Sequence, residues 1–465
     1  MDHLAVRGAC LIFAAVSLGP LVLYLVGRIK DPFHPLVYLG VLAFGIAGLK
    51  PMVNPGPALY FVAGGALAIF ELIAALSVLS FYFGWYRRGA SHPLAGVPQL
   101  PQAGCQPYFS AVRLLGCGWL MAMLALGSWL VVIHNVHASG YITDWGFVET
   151  PGAVLLIQAW LLDRDLMLPA ILGLGVDLFG SLRHVYSHGS RHSAAILLIA
   201  LAVPFIFKGT RPKKRWVLSL GAIAIVVMMT LAATRKIIGE GKAPNRLAAL
   251  WVAGQRFLHG GQDDYGPGKT FVVGAMEVQV VRRQQNWNYG RVLADMGVVF
   301  LPHQYFPNKY DWVSQWDAPH FVALLRTYLG LTNKKLAYGC APTGFADSYV
   351  NFWWLFPLLW FLLGYYVHYI YTGAIYSRRI DFQGYLACCL IMLFLLVGQD
   401  LEAGGFEALF TLLPTWLAYR FARESWNSAG HARLVVPQPP NARSMGGSLR
   451  YQINAAGGAV SREAR

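Results

Sequence analysis

"LYFVAGGALAIFELIAALSVLSFYF", residues 59–83, carries a single charged side chain, Glu71, in an otherwise apolar or small-residue run. About 20 apolar residues cross the hydrocarbon core of a bilayer as a helix, so this stretch reads as a membrane span. Working outward from it, comparable runs occur at 9–27, 35–50, 114–133, 148–162, 166–181, 193–207, 216–233, 347–372, 384–399 and 406–421. The whole chain is 56% hydrophobic and 13% charged, with a mean hydropathy of +0.47. A soluble domain would carry about 25% charged residues. The reading is an all-α, polytopic membrane protein with about 11 transmembrane helices. The first apolar run, from Ala9 to Val26, lacks a basic segment before it and a small-residue cleavage site after it, so it is expected to be a retained helix.

A net charge of +15 would suggest nucleic acid in a soluble protein. In a membrane protein it suggests topology instead, because basic residues gather on cytoplasmic loops; no nucleic-acid partner is expected. Arg28/Lys30, Arg87/Arg88, Lys208 to Arg215 and Arg378/Arg379 occupy alternate loops, and Arg420/Arg423 open the tail. Eleven spans with the N-terminus outside place all of these in the cytoplasm. The step at Asp163-Arg164-Asp165 requires a tight hairpin. The expected organisation is spans 1–8 over residues 1–233, a large periplasmic loop over 234–346, spans 9–11 over 347–425, and a disordered cytoplasmic tail over 426–465. The six cysteines, at 10, 105, 117, 340, 388 and 389, show no CxxC pair and no metal-ligand spacing.

The loop at 234–346 departs from the charge rule. It holds thirteen Lys/Arg against seven acids. Long loops translocate regardless of charge, but a basic excess on the outer face calls for an anionic partner. Within the loop, "RLAALWVAGQRFLHGG" (246–261) places its apolar residues along one helical face, as an interfacial helix would. "FVALLRTYLG" (321–330) is a second candidate.

Two passages then carry a resemblance. "NYGRVLADMGVVFLPHQYFPNKY" (288–310) runs from an aromatic-Gly turn through an apolar stretch to Pro302, Pro307 and Lys309. "GCAPTGFADSYVNFWWLFPLL" (339–359) is a Pro-Thr turn leading into Asp, Tyr, Asn and Phe at the start of a span. Together they resemble the bacterial O-antigen or oligosaccharide repeat-unit polymerase family. The chain departs from that pattern at His303, where arginine is usual, and at Trp353, where glycine is usual. The resemblance implies a GT-C-like helical glycosyltransferase of the bacterial inner membrane. It would join repeat units carried on undecaprenyl diphosphate at the periplasmic face. Implied partners are lipid-linked glycans, membrane lipid, a chain-length regulator and a flippase; no cofactor and no metal are implied.

In such a reaction the leaving group is a lipid diphosphate. Guanidinium groups match phosphate oxygens in pairs and hold their charge, which nominates Arg246, Arg256, Arg282, Arg283 and Arg291, with Lys309 as a further cation. An acceptor hydroxyl needs a positioned base; His303 and Asp347 are the foremost candidates, with Asp295 and Glu277 behind them. Asp347 also stands where a helix-start residue would. Tyr289, Tyr305, Tyr349 and Asn351 complete the expected glycan contacts, and Trp287 and Tyr310 are further aromatics able to stack on sugars. The histidines at 184, 188 and 192 are spaced for zinc, but Gly189 interrupts the helix between them. Glu71 is an intramembrane carboxylate, and such groups are functional by default. Two other functions share these features: an O-antigen ligase, with the same donor, and a transporter or flippase of lipid-linked saccharide. A transporter is expected to show internal repeats, and none is visible.

Overall fold

The computed structural model describes residues 2–29, 31, 34–53, 55–59, 62–91, 109–134, 145–188, 248–249, 251–252, 270–285, 287, 289–290, 343–375, 379–399 and 401–423. Among these, all extended regular structure is helical, with one isolated bridge between Phe109 and Arg423. Seven helical segments are long and apolar enough to cross a membrane: Leu4–Leu25, Pro35–Val53, Gly64–Arg88, Ala111–Val131, Trp145–Leu162, Gly344–Ile375 and Ile380–Gly398. The chain is an all-α, multi-pass membrane protein.

We number the helices α1 (Asp2–Leu25), α2 (Pro35–Ala43), α3 (Leu49–Val53), α4 (Gly56–Leu59), α5 (Gly64–Ser91), α6 (Ala111–His134) and α7 (Glu149–Leu162). They continue as α8 (Met167–His188), α9 (Thr270–Gln284), α10 (Gly344–Phe352), α11 (Phe356–Ile375), α12 (Ile380–Gly398) and α13 (Leu401–Ala422). The expected spans that fall on described residues coincide with helices whose bounds differ by up to eight residues; those at 166–181 and 406–421 coincide with α8 and α13, which are not among the seven segments above. The expected spans at 193–207 and 216–233 lie outside the described residues.

The hairpin at 163–165 is as tight as expected. Asp163 accepts the N–H of Asp165 at 3.0 Å and caps a short 3₁₀ turn, Arg164–Leu166, that leads directly into α8. The expected single span at 347–372 is instead broken: α10 ends at Phe352, a 3₁₀ turn covers Trp353–Leu355, and α11 begins at Phe356.

The main core gathers α1, α2, α5, α9, α10, α11 and α12 around Phe13, Phe70, Phe81, Phe345 and Trp360. Lipid tails are as apolar as leucine, so helix pairing in a bilayer relies on close packing through small residues. The α5–α11 seam shows how. A Cβ at Gly84 would collide with the Phe361 carbonyl, and one at Gly364 with the Phe81 carbonyl. The two helices run in the same direction, since Pro357 and Leu358 lie beside Leu76 and Leu79, while Tyr365 accepts a hydrogen bond from Arg88. A second group, α6, α7 and α8, packs through Gly118, Gly152 and Gly173.

Contacts between helix ends divide the bundle into two poles. At one, Ser110 N–H donates to Ala422 C=O at 2.9 Å and the Gln158 amide donates to Ile380 C=O at 2.8 Å. Tyr371 donates to Asp31 at 2.7 Å there, and Arg379 pairs with Asp381 at 2.6 Å. Arg88, Arg113, Arg164, Arg379, Arg420 and Arg423 all collect at this basic pole. The opposite pole holds the end of α12, the start of α13, and α10.

Candidate functional site

The site at that opposite pole is built on α9, "TFVVGAMEVQVVRRQ". Its apolar residues from Phe271 to Val281 are buried, and it ends on two exposed arginines, Arg282 and Arg283. Cations suit the last turn of a helix, where the carbonyl dipoles point. Gly274 brings α9 against Phe70 of α5 and against Thr343 and Ala346 of α10. Gln279 Oε1 accepts the Ala63 N–H at 2.8 Å, pinning α9 to the head of α5. A polar outer loop was expected here with only interfacial helices. Instead its middle enters the core, which the sequence signalled only through the apolar residues at 271–281. Of the expected interfacial helices, only 248–249 and 251–252 are described; Ala249 is buried and Trp251 exposed.

The nine-residue helix α10, "GFADSYVNF", is buried from Gly344 to Asn351. A helix start leaves N–H groups without partners, and a Ser, Thr, Asp or Asn before the first turn supplies one. That residue is Thr343, whose hydroxyl accepts the Ala346 N–H at 3.3 Å, and not Asp347 as the sequence suggested. Asp347 does different work. Its Oδ1 accepts the Asn351 amide at 2.8 Å and its Oδ2 accepts the Leu401 N–H at 2.7 Å. It therefore ties α10 to the first residue of α13. Ser348 accepts the Trp360 indole N–H at 3.0 Å and donates to Phe345 C=O at 2.9 Å, fixing α10 against α11.

The segment after α9 then folds back onto α10. The Gly290 N–H donates to the Asn351 C=O at 2.5 Å. The Trp287 ring meets the Tyr349 ring edge-on at 5.0 Å and the Trp353 ring at 5.9 Å. Tyr349 in turn packs against Trp354 and Phe356, at 6.0 and 5.7 Å. Arg282 lies within electrostatic reach of the Tyr349 hydroxyl.

Backbone strain marks the same place. Among the described residues, the non-glycine positions with positive φ are Gln285 (55°), Tyr289 (48°) and Trp353 (47°), and Gly290 stands at 79°. L-residues pay about 1–3 kcal/mol in such conformations, which persist where the surroundings impose them and cluster at functional sites. At Trp353, with φ 47° and ψ −128°, the backbone adopts a conformation that glycine adopts most easily.

Of the residues nominated from sequence, Arg282, Arg283, Tyr289, Tyr349, Asn351 and Asp347 come together here. Arg246, Arg256, Arg291, His303, Tyr305 and Lys309 lie outside the described residues, although Arg291 directly follows Gly290 in the chain. Glu277 is buried on α9, and Glu71 is buried in α5 with no hydrogen-bond partner for either oxygen among the described residues. Asp163-Arg164-Asp165 lies at the basic pole. No group of three or more metal-ligating side chains occurs among the described residues. Chemically, the site offers exposed guanidinium groups and exposed aromatic faces on a rigid, hydrogen-bonded floor, a combination suited to an anion attached to a ring-shaped polar group. No protein family, curated protein or solved structure matches the chain.

Proposed function

We propose that the chain is a polymerase of oligosaccharide repeat units carried on undecaprenyl diphosphate, in the bacterial inner membrane, with the pole bearing α10 facing the periplasm. The observation that carries this reading is the pairing of the two passages from which the resemblance came. The contacting residues are about sixty positions apart in the chain: Gly290 is hydrogen-bonded to Asn351, and Trp287, just before the first passage, meets the Tyr349 ring edge-on. The sidedness follows from the basic pole, since Lys and Arg mark cytoplasmic ends.

On this reading Arg282 and Arg283, with Arg291 beyond Gly290, take the diphosphate of the donor. As the glycosidic bond breaks, negative charge grows on the bridging oxygen; fixed guanidinium groups stabilise it without having to reorganise. Tyr289 and Trp353 offer faces on which sugar rings stack. Both oxygens of Asp347 are occupied by N–H donors, so we assign it a positioning role and leave the base to His303. Asn351 positions the Gly290 turn through its carbonyl and is itself oriented by Asp347.

The test is the length of surface glycan chains in a strain complemented with Arg291→Ala, Arg246→Ala or the double Arg282→Ala/Arg283→Ala variant, each confirmed at normal membrane abundance. Chains reduced to a single repeat support the assignment. Long chains in all three would remove the arginines, and with them the diphosphate site, from the account.

A further inference from the structure

The basic pole holds a cavity of its own. It opens between the segment entering α6, the start of α12 and the end of α13, with a volume of about 100 Å³. Its walls are held in place by their neighbours. Phe109 bridges to Arg423 through the backbone, and the Phe109 and Tyr385 rings each meet the Tyr419 ring edge-on at 5.6 Å. Tyr419 donates to Gln158 Oε1 at 2.8 Å, and the Gln158 amide donates on to Ile380 C=O at 2.8 Å, which ties α13 through α7 to α12. The charged side chains lining the cavity are Asp381, Arg420 and Arg423. Arg379 takes both oxygens of Asp381, at 3.1 and 2.6 Å, so the negative charge of this carboxylate is already matched. Arg420 and Arg423 are exposed, and neither forms an ion pair among the described residues. The start of α12 and the end of α13 present opposite ends of helix dipoles here. The two guanidinium groups therefore decide the sign of the site, and it is positive. Arg113 adds a third cation nearby, donating to Phe421 C=O at 3.3 Å.

The helix surface leading to this cavity is apolar. Leu413, Trp416 and Leu417 are exposed, and their spacing of three and four residues sets them on one stripe of α13 with Arg420. In a chain that crosses the bilayer such a stripe meets acyl chains, and tryptophan beside it marks the level of the head groups. A ligand that satisfies both features carries a phosphate and a hydrocarbon chain in one molecule. Guanidinium groups match phosphate oxygens in pairs, and basic pockets between spanning helices take anionic lipid head groups. We propose that this cavity binds the phosphate of one anionic phospholipid. Arg420 and Arg423 hold the phosphate, Trp416 lies at the glycerol level, and an acyl chain runs along Leu413 and Leu417. The lipid thereby braces the end of α13 where it meets α6 and α12. The site lies at the pole opposite α9 and α10 and stands whether or not the polymerase reading does.

The experiment uses the purified full-length protein in lipid nanodiscs. Its Tm is followed as phosphatidylglycerol replaces phosphatidylcholine, in the wild type and in two double variants. Arg420→Gln/Arg423→Gln empties the cavity of charge, whereas Arg28→Gln/Arg164→Gln removes the same charge from exposed arginines elsewhere. A saturable rise in Tm is expected in the wild type and in the Arg28/Arg164 variant. In the Arg420/Arg423 variant the rise is expected to vanish or to need at least about tenfold more phosphatidylglycerol, since each basic residue at an anionic surface contributes about fivefold. Should that variant fail to fold, Arg420→Gln alone takes its place, with a weakening of about fivefold expected. A Tm indifferent to phosphatidylglycerol would overturn the proposal. So would equal losses in both double variants, which would reduce the effect to general surface charge. Inorganic phosphate added to phosphatidylcholine nanodiscs is the remaining probe; a rise as large as that with phosphatidylglycerol would make this a site for a free anion and overturn the lipid assignment.

Discussion

Asp347 and Asp177 are both buried acids in helices of a membrane bundle, but their surroundings are opposite. Asp347 has an N–H donor on each oxygen, one from its own helix and one from the next span but one. Asp177 has an oxygen, Oδ1, with no hydrogen-bond partner among the described residues. A buried polar network that is satisfied rigidifies its surroundings, whereas an unsatisfied one costs stability unless something else completes it. The α10 pole is therefore a rigid, internally satisfied piece of architecture. Among the described residues, nothing completes the Asp177 oxygen in that way.

The strongest way to break this contrast is Asp347→Ala. It strands the Leu401 N–H and the Asn351 amide, each a hydrogen bond to a charged group worth about 1.5–3 kcal/mol. We expect a loss of about 3 kcal/mol or more in thermal unfolding of the purified protein, with glycan chains reduced to one repeat. A Tm within the scatter of the wild type would show that α10 is held by packing alone.

Acidification probes the basic pole of the same half. His34 precedes α2, caps it by accepting the Leu36 N–H at 3.3 Å, and sits against Trp85 and Tyr371. Burial, and then the nearby His368, push its pKa down to about 4. A depressed folded value means that the unfolded chain binds the proton first. This contribution is thus complete above about pH 6.5 and disappears as the pH falls toward 4, amounting to about 3 kcal/mol. In unfolding measured between pH 7 and 4, His34→Gln is expected to flatten the loss; an unchanged slope would assign the acid sensitivity elsewhere.

Smaller effects sharpen the picture. Gly364→Ala drives a methyl group into the Phe81 carbonyl and is expected to cost about 1–3 kcal/mol. Gly116→Ala meets nothing within 4 Å and is expected to stay within about 0.5 kcal/mol of wild type. Equal costs would mean that the α5–α11 seam is not as close as its backbone contacts imply. Smallest of all, Asp177→Asn keeps the size of a side chain whose Oδ1 accepts no hydrogen bond among the described residues, so it is expected to lower Tm less than Asp347→Ala. A fall as large as that for Asp347→Ala would erase the distinction between the two acids.

Much of the fold was legible in the sequence because one physical rule, apolar length, governs membrane helices. The tight turn at Asp163 and the common pole of the basic residues followed from the same reading. What escaped depended on tertiary contacts. Helix α9 is short and framed by polar loop residues, so nothing local announces that Gly274 seats against Phe70 and Thr343. The break at Trp353 hides in an unbroken apolar run. Asp347 looks from sequence like a helix cap or a base; only the arrival of Leu401 from fifty-four residues away reveals a tie between helices. That Asp177 Oδ1 finds no hydrogen-bond partner among the described residues is equally invisible in the sequence.

The central claim, that the chain polymerises lipid-linked repeat units, is tested most directly by the glycan profile of a deletion strain. The account predicts single repeat units on the surface and no long chains on the carrier lipid. Polymerised glycan accumulating on undecaprenyl diphosphate, unable to leave it, would contradict the account and identify a ligase.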